Sequence, residues 1–415
     1  MSDFILHNDD HDGIDRRGFL KCMAWAGTGV AFFMRGGILR SASLSDIAGS
    51  TVSPLFVQIS DSHIGFNKEA NKDVIGTCRA AIAKINALPM PPAFMLHTGD
   101  LSHLSKPEEF DTLDEVLKEA KSGPVFFVPG EHDVLNDNGA MFRERYGKKS
   151  LGDGWYSFDH SGVHFIGLVN VMNLKPGGLG TLGAAQLDWL QKDVSPLPSS
   201  TPIVVFAHIP LWSVYPAWGW GTDDSEQALG YLKRFGSVTV LNGHIHQTLQ
   251  KVEGNVTFHT AMSTAFPQPA PGAAQSPGPM KVEAARLRNL LGLTSVNYVE
   301  TKHALAIIDS PLESAHAPSP EQEKGGQKTS AAPGVNEIKI DNFSFMPTAI
   351  TVAAGTKVTW VNRDDVPHKI SLNDKSVVSK ALDTDEQFSN VFNKPGTYEY
   401  YCPIHPKMTG KIIVH

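Results

Sequence analysis

The sequence predicts a layered α/β domain followed by a small all-β domain. Residues 54–310 alternate apolar runs of strand length with segments of helix length, which is typical of an αββα arrangement of sheets and helices. After Val335 the pattern changes to short alternating strands separated by turn residues, and about 80 residues of this kind favour a β-sandwich. Residues 311–334 have the Pro, Ser, Gly, Gln and charge content of a linker. We therefore expect an α/β domain at 49–310 and a β-domain at 335–415.

The overall composition narrows the class of protein. A chain of 415 residues has room for two or three domains. Its net charge of −7 argues against a nucleic-acid-binding surface. Its 3 cysteines do not predict a disulfide framework, whereas its 17 histidines cluster in motifs.

Residues 1–48 have the features of an export signal and a flexible N-terminus. The segment Asp15-Arg16-Arg17-Gly18-Phe19-Leu20-Lys21 precedes an apolar run, Cys22–Met34, whose length of about 13 residues is too short for an ordinary membrane span. This arrangement resembles a twin-arginine (Tat) signal, with Asp15 where Ser or Thr is usual. The resemblance implies the Tat export machinery as a partner and a periplasmic or otherwise exported protein. The alternative is a buried helix that carries two arginines by chance.

Ionisable side chains follow five predicted strands of the first domain. The strands are Leu55–Ile59, Ala93–His97, Val125–Val128, Ile203–Ala207 and Val238–Leu241. The side chains that follow them are Asp61 and His63, Asp100 and His103, Glu131, His132 and Asp133, His208, and His244 and His246. Ligands of open α/β sheets bind outside the carboxyl ends of strands, and imidazole with carboxylate suits Zn, Mn or Fe. The pattern therefore predicts a metal site at this sheet edge.

The other elements of the first domain are less regular. Helices are predicted at 70–88, 107–121 and 184–192, and a hairpin is predicted around Phe158 and Val163–Val169. Residues 263–300 are predicted to be irregular, with a Pro/Gly-rich surface loop, before residues 301–309 return to the sheet.

The motifs of the first domain resemble those of calcineurin-like metallophosphoesterases over roughly residues 54–260. They are Asp61-Ser62-His63, Gly99-Asp100, Gly130-Glu131-His132-Asp133, His208 and Gly243-His244-Ile245-His246. The resemblance implies two metal ions, Fe, Mn or Zn, bridged by Asp100. It assigns Asp61, His63 and His246 to one metal ion, and His208, His244 and position 131 to the other.

The resemblance also implies a reaction. Two cations clamp the attacking and leaving oxygens of a phosphate ester, and a metal-bound hydroxide attacks phosphorus in line. His132 would stabilise the phosphoryl charge or protonate the leaving group, and Asp133 would orient His132. For His103 a structural role and a substrate contact are both open, whereas His97 and His164 are interpreted as structural.

One residue departs from the family pattern. The family has Asn where this chain has Glu131, which adds a negative charge and removes an amide donor. We hypothesise that this change favours a more highly charged metal pair, such as Fe³⁺ with a divalent ion, and weakens anion binding. Farther along, the aromatic run Ile209–Trp220 either walls the pocket, where it could stack on an organic leaving group such as a nucleobase, or covers the domain surface or packs on the second domain.

The second domain contains the ligand types of a blue-copper site. They are His368, Cys402, His405 and Met408, with Cys402 to Met408 in C-x2-H-x2-M spacing after a strand. The region 335–415 resembles cupredoxins, most closely amicyanin-like and plastocyanin-like proteins, which implies one copper ion, one-electron transfer and a redox partner protein. A copper store, a copper sensor and a structural copper site are alternatives. If the first domain holds iron, copper could also set its oxidation state.

Taken together, the motifs predict an exported phosphoesterase that hydrolyses phosphate mono- or diesters of small molecules and carries a type 1 copper domain. The alternative is a copper electron-transfer or copper-handling protein in which the phosphoesterase fold is a non-catalytic binding module. Glu131 is the sequence feature that favours this alternative.

Overall fold

The computed structural model of the chain describes residues 30–35, 38–43, 55–174, 178–299, 304–313 and 336–415. The first two strands, β1 (Val30–Arg35) and β2 (Ile38–Ser43), pair antiparallel. The arginine pair predicted to belong to an export signal, and most of the predicted linker, lie outside the described residues. Across the described ranges, we find no helix with the length and apolar character that crossing a membrane requires.

The predicted αββα arrangement of the first domain is confirmed. Its strands are β3 (Phe56–Ile59), β4 (Phe94–His97), β5 (Val125–Phe127), β6 (Tyr156–His160), β7 (Val163–Gly167), β8 (Ile203–Ala207), β9 (Val238–Asn242), β10 (Gln250–Glu253), β11 (Val256–Thr260), β12 (Gly292–Val299) and β13 (Ala304–Pro311). Its helices are α1 (Val74–Asn86), α2 (Pro107–Lys118), α3 (Ala140–Tyr146), α4 (Ala184–Val194), α5 (Ser225–Leu232) and α6 (Ala284–Leu290). One sheet has the strand order β13-β12-β3-β4-β5, and the other has the order β10-β11-β9-β8-β7-β6.

Two apolar faces meet between these sheets. Phe56 and Phe94 of the first sheet stack at 5.1 Å, and Phe165 of the second sheet meets Phe56 edge-on at 5.5 Å. Each of these rings is at most 1 % exposed, and burying a ring of this size contributes about 1.5–3 kcal/mol. Helices α1 and α2 pack on the outer face of the first sheet, and α4 and α5 on that of the second. The parallel strands β3, β4 and β5, and likewise β7, β8 and β9, therefore bring their carboxyl ends to one edge of the domain.

The irregular structure predicted for 263–300 is wrong for its second half. Helix α6 and strand β12 occupy that stretch, and β12 lies between β3 and β13 in the sheet. The strand was missed because its buried positions include polar residues that break the apolar alternation. Thr294 is fully buried, and its hydroxyl donates to Asp309 at 2.7 Å on the neighbouring strand. The predicted return of residues 301–309 to the sheet agrees with β13.

The second domain is a sandwich of two four-stranded sheets, so the predicted all-β fold is confirmed. Its strands are β14 (Glu337–Ile340), β15 (Phe345–Met346), β16 (Ala349–Val352), β17 (Thr356–Asn362), β18 (Ser371–Leu372), β19 (Gln387–Phe392), β20 (Gly396–Tyr401) and β21 (Thr409–Val414). The sheet orders are β15-β14-β17-β19 and β16-β21-β20-β18. Trp360 and Tyr400, whose rings meet edge-on at 5.3 Å, fill the space between the sheets. Strands β15 and β18 were not predicted because two residues are too few to show a period.

The two domains pack against each other at the end of the sandwich that carries Cys402. Leu104 and Leu135 of the first domain join the apolar core of the second. The Lys369 ammonium donates to the Leu135 carbonyl at 3.0 Å, and Lys68 lies 3.4 Å from Asp383. Apolar and polar contacts therefore fix this end of the second domain against the first.

The hairpin of β6 and β7 carries a buried histidine between two carboxylates. The His164 Nδ1 atom is 2.8 Å from Asp159 and its Nε2 atom is 3.0 Å from Asp193, so a protonated ring donates to both. Burial opposes protonation, but Asp193 and Asp159 together raise the pKa of His164 above its usual value. This geometry is consistent with the structural role inferred for His164.

A raised pKa in the folded state makes the contribution of His164 to stability depend on pH. The stabilisation is fully present below the unfolded-state pKa of about 6.5 and is lost as pH rises through the folded-state value. We expect His164→Gln to lower the free energy of unfolding at pH 6 by clearly more than at pH 9. Urea denaturation of both proteins at the two pH values measures this, and an equal loss at both would contradict the ion-pair interpretation.

Candidate metal centres and the cavity between them

The predicted metal ligands of the first domain lie on loops that follow β3, β4, β5, β8 and β9. Several of these loops hold ligands in the left-handed backbone region that side chains other than Gly seldom adopt. The residues and their φ angles are Asp61 at 53°, His63 at 40°, Asp100 at 52°, His244 at 70° and His246 at 54°. Strained backbone of this kind persists only where the surrounding contacts enforce it, and it concentrates at functional sites.

Glycine is required at positions 99 and 130 because the side chains of predicted ligands approach the backbone closely there. Gly99 has a φ of 97°, and a Cβ atom there would lie 2.4 Å from the Nδ1 atom of His208. A Cβ atom at Gly130 would lie 2.0 Å from the Asp100 carboxylate. Any larger residue at either position would displace a predicted ligand.

Six of the seven residues predicted to bind two metal ions come together as two groups of three. In the first group, His246 Nε2 lies 3.3 Å from an Asp61 oxygen and 3.2 Å from His63 Nε2. In the second, the two Glu131 oxygens lie 2.9 Å from His244 Nδ1 and 3.0 Å from His208 Nε2. The ligand atoms within each group all lie within 4.8 Å of one another.

Asp100 lies between the two groups. Its Oδ2 atom is 3.5 Å from His63 Nε2 in the first group and 3.4 Å from His208 Nε2 in the second. Its other oxygen accepts a hydrogen bond from the backbone N–H of His132 at 3.0 Å. This position fits the bridging role that the family resemblance implies for Asp100.

The donor atoms of both groups fit metal ions. Among the described residues, the buried Glu131 Oε2 and His208 Nε2 atoms have no hydrogen-bond partner, although they are 3.0 Å apart. The Nε2 atoms of His63 and His246 also face each other, at 3.2 Å. At this separation at most one of the two atoms can carry a proton, so at least one of them has a free lone pair. Carboxylate and imidazole donors that converge in this way suit Fe, Mn or Zn.

The charges of the site favour metal binding. Burial would raise the pKa of Asp61, but His246 and His208 lower it to about 2. Burial is likewise outweighed at Glu131, where His244 and His208 hold the pKa well below its usual value. Burial, followed by the charge of His132, lowers the pKa of His63 well below its usual value, so its ring is neutral and has a lone pair to offer.

His132 lies beside the first group of ligands. Its ring meets that of His63 edge-on at 4.6 Å, and its Nδ1 atom donates to the His103 carbonyl at 2.8 Å. Burial opposes protonation, but Asp100 and Glu131 raise the pKa of His132. A protonated ring anchored through Nδ1 leaves its Nε2–H as a donor.

The predicted orientation of His132 by Asp133 is corrected by the structure. The Asp133 carboxylate accepts hydrogen bonds from the backbone N–H groups of Gly130, Leu101 and Ser102 at 2.8–3.1 Å, and from the Ser102 hydroxyl at 2.9 Å. None of the hydrogen bonds found in the described chain joins it to His132. Burial, with the charge of Asp100, raises the pKa of Asp133 to about 7. Asp133 therefore holds the loop that carries His132, and the His103 carbonyl orients the ring.

The two remaining histidines near the site are buried. His103 is 1 % exposed and its ring stacks on His132 at 5.3 Å, outside the cavity described below, which favours a structural role over a substrate contact. His97 Nε2 shares a hydrogen bond of 2.9 Å with the Ser62 hydroxyl. Burial lowers the pKa of His97 to about 3, so its ring is neutral and fits the structural role inferred for it.

The four predicted copper ligands lie at the end of the sandwich that faces the first domain. The Cys402 sulfur is 3.8 Å from the Nδ1 atoms of both His368 and His405, which are 3.1 Å apart. Met408 is buried in the same apolar core as Cys402, and its carbonyl accepts a hydrogen bond from the Cys402 N–H at 3.0 Å. Burial opposes ionisation of Cys402, but His368 lowers its pKa, which favours the thiolate. Two imidazoles converging on one sulfur fit the trigonal His₂Cys arrangement of blue copper.

Sequence reasoning missed Asp364. Its carboxylate accepts a hydrogen bond from His368 Nε2 at 2.8 Å, which fixes the ring so that Nδ1 points to the Cys402 sulfur. It also accepts one from the backbone N–H of Phe343 at 2.9 Å. The position four residues before His368 gave no signal, because an Asp in a polar turn is common.

A cavity of about 380 Å³ lies between the two metal centres. Its wall on the first domain includes Asp100, Glu131, His132, His244 and Trp218. The residues that line it from the second domain include Phe343, Val366, Ile404, His405, Lys407 and Met408. Both metal centres therefore border one space.

Of the two alternatives for the aromatic run, the pocket wall holds for two of its tryptophans, and a third lies in a position that neither alternative predicted. Trp218 and Trp220 line this cavity. Trp212, by contrast, is 7 % exposed and packs in the apolar core of the first domain.

Comparison with known proteins agrees with this geometry. Residues 54–248 match the calcineurin-like phosphoesterase family, and residues 316–414 match the cupredoxin-like domain family. The first domain is thus similar to calcineurin-like phosphoesterases over residues 54–248, and through its second domain the chain belongs to the cupredoxin family.

Relatives of each domain are found separately. Amicyanin-alpha of Methylorubrum extorquens is 36 % identical over 20 % of this chain and 75 % of its own length. A 3′,5′-cyclic-nucleotide phosphodiesterase of a Nostoc species is 27 % identical over 50 % of this chain and 77 % of its own. A human serine/threonine-protein phosphatase is 32 % identical over 32 % of this chain and 44 % of its own.

The role of Asp364 is open to a direct test. Groups that hold a metal-ligating histidine typically affect metal affinity by about 10- to 100-fold. We expect Asp364→Asn to weaken Cu²⁺ binding by that factor, because the amide no longer fixes the His368 ring as a carboxylate does. Competition with a chelator, followed through the blue absorption, measures the affinity. The exposed Asp385, which pairs with Arg363, provides the control Asp385→Asn, and equal effects of the two variants would contradict the role.

Proposed function

We propose that the first domain hydrolyses phosphate mono- or diesters of small molecules with two metal ions, and that the second domain transfers single electrons through one copper ion. The observation that supports hydrolysis is the convergence of two ligand groups on Asp100, with His132 beside them in one cavity. The relatives of the first domain, a phosphodiesterase and a phosphatase, support the same reaction class.

Each residue near the metal ligands has a distinct role in the proposed reaction. Two bound metal ions would supply an activated water and neutralise the charge of the phosphoryl group. The Nε2–H of His132 then donates to the leaving-group oxygen, while the His103 carbonyl holds the ring at Nδ1. Asp133 keeps the loop in place through its backbone hydrogen bonds.

The position of Glu131 favours the enzyme over the non-catalytic binding module. Its two oxygens face His208 and His244, so the side chain occupies a ligand position and is not turned away from the site. We propose that Glu131 ligates the second metal ion and that its charge favours a pair such as Fe³⁺ with a divalent ion.

Hydrolysis is tested with bis-p-nitrophenyl phosphate and p-nitrophenyl phosphate in the presence of Mn²⁺, Fe or Zn²⁺. We expect turnover, and a loss of about 10²- to 10⁴-fold in kcat for His132→Ala, because general acid catalysis contributes that much. His415→Ala, at the exposed end of the chain, should match the unchanged protein. Absence of turnover with every metal would favour the binding module.

The charge at position 131 predicts a separate effect. Replacing Glu131 with Asn removes one negative charge next to the bound phosphoryl group and adds an amide donor. We expect Glu131→Asn to be inhibited by inorganic phosphate at lower concentration than the unchanged protein. Inhibition constants for phosphate, with metal content quantified in both proteins, measure this. Weaker or equal phosphate inhibition in the variant would refute the electrostatic explanation.

The copper function rests on the convergence of His368, Cys402 and His405 and on the amicyanin relatives. We expect the protein to be blue with Cu²⁺ and the Cys402→Ser variant to be colourless, which tests the copper function independently of hydrolysis.

We further propose export through the Tat machinery, because Arg16-Arg17 precede an apolar run. Retention of an Arg16→Lys, Arg17→Lys double variant in the cytoplasm would support export by this route.

A further inference from the structure

The copper domain forms one wall of the cavity at the phosphoesterase site. Glu131, His132 and His244 line this cavity from the first domain, and Phe343 and His405 line it from the second. The organic group of an ester whose phosphoryl group lies at the metal ligands therefore has residues of both domains within reach. Neither domain alone would form this surface.

Polar contacts between the domains fix that wall. The Lys407 ammonium donates to the carbonyls of Pro216 and Ala217, both at 2.8 Å, in the short turn that carries Trp218. At another part of the rim, the Ser276 hydroxyl is 2.8 Å from the Asn342 side chain, which belongs to the second domain. Trp218 is thereby held beside the copper domain.

Aromatic rings from both domains form part of the walls of this space. Trp218 meets Trp220 edge-on at 5.0 Å, and both line the cavity. On the second domain, the Phe343 ring stands edge-on to His405 at 4.7 Å. Aromatic walls of this kind, in a cavity of about 380 Å³, suit a small planar group.

We propose that Trp218, Phe343, Ile404 and His405 form a subsite for the organic group of the phosphate ester, and that this group is aromatic. The proposal rests on the phosphoesterase function proposed above and extends it to a substrate class. The copper domain then selects the substrate as well as holding copper.

His405 connects this subsite to the copper centre. Of the three ligands that converge at copper, His368 and Cys402 are fully buried, whereas His405 is half-buried and lines the cavity. An aromatic group bound in the subsite therefore contacts a copper ligand, and copper reports its arrival.

Binding of inert phosphonates to the full-length protein, with copper and the dinuclear metals in place, tests the subsite without hydrolysis. We expect phenylphosphonate to bind about three- to tenfold more tightly than methylphosphonate, because ring contacts contribute that much. We also expect phenylphosphonate, but not methylphosphonate, to shift the blue absorption band of Cu²⁺.

Two variants and one control locate the effect. Trp218→Ala should abolish the preference for the phenyl group while leaving the copper spectrum of the free protein unchanged, because Trp218 belongs to the first domain. Phe343→Leu should also reduce the preference. Tyr398→Ala serves as the control, since Tyr398 packs on Phe392 and is not among the residues that line the cavity.

Three results would overturn the proposal: equal binding of the two phosphonates, a preference that survives both variants, or an unchanged blue band at saturation. The phosphoesterase proposal fails separately. If the protein hydrolyses no ester but shows the phenyl preference and the band shift, the subsite proposal holds and the hydrolase proposal fails. If it hydrolyses esters without any phenyl preference, only the subsite proposal fails.

Discussion

Two buried carboxylates and a partly buried third lie together at one edge of the stacked sheets, and the first domain is arranged around their charge. Asp61 and Asp100 are at most 2 % exposed, and the partly buried Glu131 lies close by. Removing a carboxylate from water is costly unless cations or hydrogen-bond donors face it. His208 faces Glu131, and the backbone N–H of His132 faces Asp100. Metal ions would complete this compensation, so metal binding and folding stability are linked in this domain.

The ligand motifs were predictable because they follow regular strands. Each predicted ligand loop comes directly after an apolar run, and parallel strands bring those loops to one edge without further information. Asp133 and Asp364 show where this reasoning ends. Asp133 accepts hydrogen bonds from two backbone N–H groups of one other loop, and Asp364 fixes a ring four residues away. Such contacts depend on backbone atoms and on packing, and neither produces a sequence pattern. The strand Gly292–Val299 was missed for a related reason, since its buried threonine is satisfied by a partner on the next strand.

The contact between the domains could not be predicted from the sequence either, and it makes the two sites share one cavity. Each set of motifs, taken by itself, predicts a separate site. In the folded chain the aromatic run after His208 contributes Trp212 to a core and Trp218 to the cavity wall, and Lys407 of the copper domain holds the turn that presents Trp218. Lys407, which lies within the copper ligand motif, thus supports the pocket of the first domain. Substitutions at this shared wall, in either domain, are expected to affect binding in the cavity.

The left-handed backbone at the ligand positions has an evolutionary consequence. Each such conformation costs about 1–3 kcal/mol, and Gly or Asn would relieve much of that cost. A lineage that had stopped using the site would gain stability by accepting those replacements. This chain keeps Asp and His at all five strained positions, His63 and His246 among them. The stability forgone at these positions therefore favours, independently of the ligand chemistry, a functional role for the five residues.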